Sequence, residues 1–141
     1  MDRARRKRRK AKAKVPVTRT IVGWKLPPAE RDRLLDRFEP HHAVLVADHV
    51  TLRFGTNEHT PLPAARSGEI VGEVDDGAGV QSLIVLIGGT TDRGDGSHYH
   101  ITWSLAEGRE AKESNDVLAA TKWQRVHPPI SITLVPARWT V

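Results

Sequence analysis

The sequence predicts an α+β fold, because strand patterns and two short helix patterns are mixed without a regular strand–helix alternation. The run Leu83–Ile87 is apolar at every position, which indicates a strand buried on both faces near the middle of a sheet. The turn Asp75–Gly79, rich in Asp and Gly, lies between two apolar runs, which is typical of a β-hairpin. With 141 residues, the chain has the length of one domain.

The first half of the chain contains a predicted strand, a helix and a second β segment. β-Branched residues predict the first strand over Val17–Trp24. A helix is predicted over Pro28–Phe38, because prolines are tolerated in a first helical turn and large apolar side chains recur on one face. The segment Val44–Phe54 is predicted as β structure with a break near Asp48.

The second half is predicted to be mostly β structure. The strands Ile70–Val74 and Val80–Ile87 form the hairpin around the turn at residues 75–79. The sequence then predicts, in order, a polar loop at Gly88–Ser97, a strand at His98–Leu105, a short helix capped by Ser114 and a last strand at Ile130–Val135.

Positive charge is concentrated at the N-terminus. Residues 1–14 carry nine basic side chains and one acidic one, a formal charge of +8, whereas residues 15–141 carry 13 basic and 16 acidic side chains, a charge of −3. We therefore predict a disordered basic tail followed by a single domain at 15–141. The segment Arg3–Lys14 is expected to contact a polyanion such as RNA, with an unpartnered, solvated terminus as the alternative. The acidic domain itself is not expected to be a basic nucleic-acid-binding surface.

Composition excludes several classes of protein. With no cysteine, the chain has no disulfide scaffold, thiolate zinc site, iron–sulfur cluster or cysteine nucleophile. No apolar stretch has the length of a membrane span, and none follows the basic start as in a signal peptide. We expect a cytoplasmic protein without a membrane partner; the sequence does not indicate its oligomeric state.

Two predicted strands carry the same pattern of histidine, apolar residue, threonine and apolar residue. The first contains His49-Val50-Thr51 and the second His100-Ile101-Thr102. Because successive side chains of a strand point to opposite faces, each histidine shares a polar face with its threonine. The same faces are predicted to continue through Arg53 on the first strand and through His98 and Ser104 on the second. Without a catalytic role, the two histidines would be half-buried residues satisfied by hydrogen bonds.

The paired motifs resemble those of the 2H phosphoesterase superfamily, which includes 2′,3′-cyclic phosphodiesterases and the cyclic phosphodiesterase domain of fungal tRNA ligases. The resemblance rests on HVTLRFG (His49–Gly55) and YHITWSL (Tyr99–Leu105), together with GWKL (Gly23–Leu26) and SND (Ser114–Asp116). These segments are most similar to small 2H domains of predicted RNA-repair proteins. The resemblance covers about residues 19–136.

This resemblance implies a two-lobed fold in which antiparallel sheets face a central cleft, with two main helices. It also implies hydrolysis of a 2′,3′-cyclic or related cyclic phosphate of an RNA end or a nucleotide, without metal or cofactor. One histidine would deprotonate water and the other would protonate the departing ribose oxygen, while the threonines would donate hydrogen bonds to phosphate. The expected catalytic residues are His49, Thr51, His100 and Thr102, and either histidine can be the base.

Three further residues are candidates for binding the substrate. Arg53 would hold phosphate, with a solvated strand cation as the alternative. Trp24 would stack on a base, with a core position as the alternative. His98 would lie at the rim of the site, and the loop Gly88–Ser97 is expected to border the cleft because it leads directly into the His100 strand.

Two other functions are compatible with the sequence. His98 and His100 have the spacing of two metal ligands on one strand, so a zinc hydrolase is possible if His41, His42 or Asp95 supplies a third ligand. Alternatively, the domain is a non-catalytic module that binds RNA ends through the same residues.

Overall fold

The structure, a computed structural model, describes residues 19–141, so the predicted tail and the first residues of the predicted first strand lie outside the described part of the chain. Its elements are, in order, β1 (Thr20–Lys25), α1 (Pro28–Arg37), β2 (Val44–Leu45), β3 (His49–Thr56), β4 (Ser67–Asp75), β5 (Val80–Leu86), β6 (His100–Leu105), a 3₁₀ turn (Ala111–Glu113), α2 (Ser114–Ala120), β7 (Gln124–Thr133) and β8 (Val135–Thr140).

The strands form two antiparallel sheets. One has three strands in the order β3-β1-β8, and the other has five in the order β2-β6-β5-β4-β7. The predicted α+β class is confirmed. Strand β5 occupies the middle of the larger sheet and is buried along nearly its whole length, as its apolar sequence predicts. Within residues 19–141, no helix is both long enough and apolar enough to cross a bilayer.

Two clusters of apolar side chains lie on opposite faces of the five-stranded sheet. The larger cluster joins this sheet to β1, β3 and α1, and it includes Trp24, Leu34, Val50, Leu83 and Ile101. The smaller cluster packs α2 against the other face through Ile84, Val117 and Leu118. Alternate side chains of β5 enter different clusters, so this strand separates the two clusters and packs against both.

Helix α1 forms where the sequence predicts it. Pro28 occupies the first helical position, where a missing N–H costs no hydrogen bond. Leu34 is fully buried against the core, which stabilises the helix by about 2 kcal/mol. The N–H of Phe38 closes the last turn by donating to the carbonyl of Leu34.

The chain crosses from one sheet to the other at Ala47 and Asp48, which confirms the predicted break. Ala47 is still bonded to β6, because its N–H donates to the carbonyl of Thr102 over 3.0 Å. Its φ angle is +42°, which turns the chain away from that sheet. Arg31 on α1 holds the turn by donating from Nε to the Ala47 carbonyl at 2.8 Å. The next residues, from His49 onward, pair with β1 instead.

A β-bulge in β3 changes which side chains share a face. Thr51 lies opposite Gly23 and Arg53 lies opposite Val22, so Leu52 is an extra residue. Directly opposed residues of an antiparallel pair point to the same side. Arg53 is therefore on the face opposite to Thr51, and the prediction that it shares the face of the first motif is wrong.

A second bulge, in β6, has the same effect after Thr102. Thr102 lies opposite Ser82 and Ser104 lies opposite Gln81, which leaves Trp103 as the extra residue. The side chains of Thr102 and Ser104 thus point to opposite faces. The predicted continuation of the polar face to Ser104 is wrong, and this hydroxyl instead donates to the side-chain oxygen of Gln81.

The C-terminal segment forms two strands rather than the single predicted one. Strand β7 pairs with β4 in the larger sheet, and β8 pairs with β1 in the smaller one. Pro128 and Pro129 lie in β7 where the register shifts, and β7 is an edge strand, so their missing N–H groups interrupt no central ladder. Two adjacent prolines favour a strand break in a central strand, but they are tolerated in an edge strand such as β7.

We predict that Gly23→Ala destabilises the protein. A Cβ at this position would lie 2.2 Å from the Val50 carbonyl oxygen and 2.9 Å from the Leu52 nitrogen, and backbone atoms of the bulge cannot move aside cheaply. We expect a loss of about 2 kcal/mol in the free energy of unfolding, measured in urea. Gly72→Ala is the matched control, because its Cβ would meet Ile84 at an ordinary 3.4 Å. Equal stability of the two variants would contradict the close approach of β3 to β1.

Candidate active site

The two His–apolar–Thr motifs lie on neighbouring strands at the junction of the two sheets. The sheet crossing at Asp48 places β3, which begins at His49, beside β6, which begins at His100. The rings are close enough that a charge on His49 contributes to lowering the pKa of His100. The structure thus brings together the two histidines that the sequence singles out.

His49 is half-buried and held by a carboxylate. Its Nδ1 donates to Oδ2 of Asp48 at 3.1 Å, and the same oxygen accepts a 2.6 Å hydrogen bond from Nζ of Lys25. Burial lowers the pKa of His49 below its ordinary value, while the Asp48 carboxylate opposes this by favouring the imidazolium. A proton on this ring is therefore disfavoured by desolvation but stabilised by a direct anionic partner.

His100 is almost completely buried, and no carboxylate of residues 19–141 is hydrogen-bonded to it. Its Nδ1 donates to the backbone carbonyl of His98 at 2.9 Å. Burial, with a smaller contribution from the positive charge of Arg93, lowers the pKa of His100 to about 4, although the hydrogen bond to His98 opposes the shift. This imidazole is neutral at pH 7, with its hydrogen on Nδ1 and a lone pair on Nε2.

The Nε2 atom of His100 reaches the surface of the protein. Among the described residues, every buried side-chain nitrogen or oxygen has a hydrogen-bond partner. The one hydrogen bond of the His100 ring in this part of the chain is made through Nδ1. The Nε2 atom therefore has some access to solvent, where a ligand could meet it. Among the described residues, the His49 ring is likewise hydrogen-bonded only through Nδ1.

The two threonines have different surroundings. Thr51 is half-buried, and its hydroxyl makes no hydrogen bond to another described residue. Thr102 is buried, and its hydroxyl belongs to a chain in which the oxygens of Ser82, Ser114 and Thr102 are 2.8 and 2.9 Å apart. The Thr102 hydroxyl donates to the Ala111 carbonyl over a long 3.4 Å, so a phosphate oxygen would have to replace this weak acceptor.

Ser114 has a different role from the predicted helix cap. It is the first residue of α2, and the residue before the helix is Glu113. Its hydroxyl is fully buried and points to the five-stranded sheet, where it bonds Ser82 and Thr102. The predicted helix is present, but its serine connects the helix to the second motif instead of satisfying the helix N-terminus.

Arg93 belongs to the site although the sequence does not single it out. It lies in the polar loop between β5 and β6, and its Nη1 donates to the Thr51 carbonyl at 3.4 Å. Its Nη2 donates to Oδ1 of Asn115 on α2 at 3.2 Å. This loop therefore contacts the first motif as well as leading into the second. The one available signal was a lone arginine in the loop that leads into His100.

Trp139 is a second residue of the site that no sequence pattern indicates. Its ring centroid is 4.9 Å from that of His49, and Nζ of Lys25 lies 4.5 Å from the indole centroid. Trp139 is on β8, beyond the last predicted strand, and it reaches the site because β8 pairs with β1. No local pattern connects residues so far apart in sequence.

Of the three predicted binding residues, Trp24 and Arg53 do not direct their side chains to the site as expected. Trp24 is buried in the core, with Nε1 donating to the Ala65 carbonyl, so the base-stacking prediction is wrong. Arg53 is exposed on the opposite face of its sheet, as described above. His98 is half-buried, and its ring contacts Thr91 and packs edge-on against Trp123. It contributes to the site through its backbone carbonyl, which orients His100.

The third ligand required for a zinc site is not supplied by the predicted residues. His41 and His42 both hydrogen-bond the carboxylate of Asp75, at 2.7 and 3.1 Å. Asp95 pairs with Arg93. In residues 19–141 no group of three histidine, aspartate or glutamate side chains is arranged to hold a metal ion.

The site therefore combines two imidazoles oriented through Nδ1, two hydroxyls and one guanidinium, which is chemistry suited to proton transfer beside an anion. Comparisons with protein-family models, with curated proteins and with solved structures find no match to this chain.

We predict that His100 makes folding stability sensitive to acid. Its pKa is about 4 in the folded state and near the ordinary ~6.5 in the unfolded chain, so the unfolded state binds the proton more tightly. Stability is unaffected above pH 6.5 and is lost as the pH falls towards 4. Between pH 7 and pH 4.5, His100→Gln should lose about 2 kcal/mol less unfolding free energy than the wild type, measured in urea.

His59→Gln, at an exposed histidine, controls for the substitution itself. Parallel pH profiles for the wild type and His100→Gln would contradict the enclosure of the His100 ring.

Proposed function

We propose that this protein is a metal-independent phosphoesterase that hydrolyses a 2′,3′-cyclic or related cyclic phosphate of an RNA end or a nucleotide. One observation carries the proposal: two neighbouring imidazoles are each anchored through Nδ1, and neither Nε2 has a partner among the described residues. Opening a cyclic phosphodiester requires one proton acceptor and one proton donor at the same phosphorus. Two histidines, one neutral and one protonated in the reactive form of the enzyme, would meet that requirement without a metal ion.

The chemical step uses the two Nε2 atoms in turn. His100 Nε2, carrying a lone pair, takes a proton from water as the water oxygen forms a bond to phosphorus. The bond between phosphorus and one ribose oxygen breaks, and protonated His49 donates its Nε2 proton to that oxygen. The product is a phosphomonoester, and exchange with solvent returns His100 to its neutral form and His49 to its protonated form.

The surroundings of the histidines support this division of roles. His100 is enclosed and lies near the positive charge of Arg93, both of which favour the neutral form that a base requires. Burial also lowers the pKa of His49, but the Asp48 carboxylate at its Nδ1 opposes this shift and favours the protonated form that an acid requires, and His100 lacks such a partner among the described residues. The Thr51 and Thr102 hydroxyls would donate hydrogen bonds to the non-bridging oxygens as negative charge develops there.

The two sheets would be the two lobes of the proposed fold, with one motif at the inner edge of each. In this proposal the basic segment Arg3–Lys14 binds the phosphates of a longer RNA, while the domain holds only the terminal cyclic phosphate. A cyclic mononucleotide is then the minimal substrate.

The direct test is turnover of 2′,3′-cyclic mononucleotides in the presence of EDTA. We expect hydrolysis by the wild type and a reduction of kcat/KM by ~10²-fold or more in His49→Ala and in His100→Ala, because each removes one proton transfer. His59→Ala is the matched control, since this histidine is exposed and lies outside the site. The product is followed by chromatography.

Each other outcome points to a different function. Binding of cyclic-phosphate RNA ends without turnover would indicate the non-catalytic module. Activity that EDTA abolishes and that His98→Ala also removes would indicate a zinc hydrolase.

The division of roles makes a separate prediction about the leaving group. A nucleotide 4-nitrophenyl diester releases 4-nitrophenolate, which departs without a proton and so needs no general acid. On this substrate His49→Ala should remain within about tenfold of the wild-type rate, while His100→Ala should still lose ~10²-fold. Release of 4-nitrophenolate is measured by absorbance. The reverse pattern would show that His49 is the base.

A further inference from the structure

Arg93 has a largely buried guanidinium whose hydrogen bonds to other described residues are all long. Its side chain is 10% exposed. Its contacts are 3.2 Å to Asn115, 3.4 Å to the Thr51 carbonyl, and 3.3 and 3.5 Å to the two oxygens of Asp95. Charge-assisted hydrogen bonds of a saturated guanidinium are ordinarily about 2.8 Å long. The protein therefore surrounds this guanidinium with acceptors but forms no short hydrogen bond to it among the described residues.

The donor groups of Arg93 are not all used. A guanidinium has five N–H groups, and Nη1 carries two of them. Nη1 has one acceptor among the described residues, the Thr51 carbonyl. At least one N–H of a buried, permanently charged group is therefore left for another acceptor. In a protein interior such a donor is costly unless a ligand or water meets it.

The location of Arg93 relates it to both catalytic motifs. Through the Thr51 carbonyl it contacts the first motif directly. Through Asn115 it contacts α2, whose first residue, Ser114, bonds Thr102 of the second motif. Its charge also acts on His100. The guanidinium thus lies where the two motifs converge.

The loop that carries Arg93 is folded so that the side chain points inward. The Asp92 carboxylate accepts the N–H of Gly94 at 2.8 Å, and the Asp95 carboxylate accepts the N–H of Ser97 at 3.0 Å. The Arg93 N–H closes the turn by donating to the Ser97 carbonyl at 2.9 Å. These local bonds hold the backbone on either side of Arg93, so its position does not depend on its own weak contacts.

We propose that Arg93 binds the non-bridging oxygens of the substrate phosphate and stabilises the charge that develops on them. This inference rests on the proposed function and deepens it by naming the residue that recognises the anion. Attack of water on a cyclic diester adds a second negative charge at phosphorus, and the Thr51 and Thr102 hydroxyls carry no charge to balance it. A guanidinium in a dry site provides both the charge and parallel donors.

The first test compares kcat/KM on a 2′,3′-cyclic mononucleotide for Arg93→Gln and Arg93→Lys. We expect Arg93→Gln to lose ~10²- to 10³-fold and Arg93→Lys to lose less, because lysine keeps the charge but not the planar donor pair. Arg53→Gln is the matched control, because it removes the same charge from the exposed, opposite face of β3. It should stay within about threefold of the wild type. A folded Arg93→Gln with near-normal kcat/KM would overturn the proposal.

The pH profile separates binding of phosphate from a purely structural role. The charged and titratable groups that act on His100 are Arg93, His49 and His98. Removing the positive charge at Arg93 should raise the pKa of His100. The acid limb of the kcat/KM profile, which reports deprotonation of His100 as the base, should then move to higher pH. Arg93→Lys should keep that limb near its wild-type position. An unshifted limb in Arg93→Gln would overturn the placement of the guanidinium beside the base.

Binding of inorganic phosphate distinguishes failure of this inference from failure of the proposed function. If the wild type hydrolyses no cyclic phosphate, the proposed function fails, and Arg93 is judged by phosphate affinity alone. Affinity at least tenfold weaker in Arg93→Gln than in Arg53→Gln supports the anion site, and equal affinities overturn it. If Arg93→Gln does not fold, the wild type is titrated with phosphate and the NMR resonance of the Arg93 Nε–H is followed. A shift of this resonance supports the anion site, and an unchanged resonance overturns the proposal.

Discussion

The candidate site depends on the turn at Ala47, where one continuous segment leaves the five-stranded sheet and enters the three-stranded one. A positive φ costs a non-glycine residue about 1–2 kcal/mol, and it persists where surrounding contacts determine the backbone. Here the N–H of Ala47 is bonded to β6 and its carbonyl to Arg31 of α1, and its side chain is fully buried. Because Asp48 and His49 follow immediately, this turn sets the position of the first motif relative to the second.

The same motif acquires two different chemistries from its two environments. His49 shares a carboxylate with Lys25 and lies against Trp139, whereas the His100 ring is almost completely buried and its one hydrogen bond among the described residues is to a backbone carbonyl. Both pKa values are lowered by burial, but within residues 19–141 only His49 has an anionic partner that opposes the shift. A sequence with two equal His–apolar–Thr patterns is symmetric, so a difference in proton affinity between the two histidines can come only from these contacts.

Two β-bulges explain where strand alternation fails as a guide to the site. Alternation correctly places Thr51 with His49 and Thr102 with His100, because each pair precedes the extra residue of its strand. After the bulges the faces exchange, and Arg53 leaves the site. The bulge in β3 fits over Gly23, whose missing side chain leaves room for the backbone of the neighbouring strand. A glycine within a strand indicates such an approach, but not which neighbour makes it.

The sequence by itself determined the α+β class, helix α1, the central strand β5 and the two motif strands, because each follows from local periodicity and turn chemistry. Only the tertiary structure decided that Trp139 lies against His49, that Arg93 lies between the motifs, and that Ser114 bonds the second motif instead of capping its helix. These contacts join residues that are distant in sequence or belong to different sheets. Their formation is governed by strand order, register shifts and packing between sheets, and none of these leaves a local pattern in the chain.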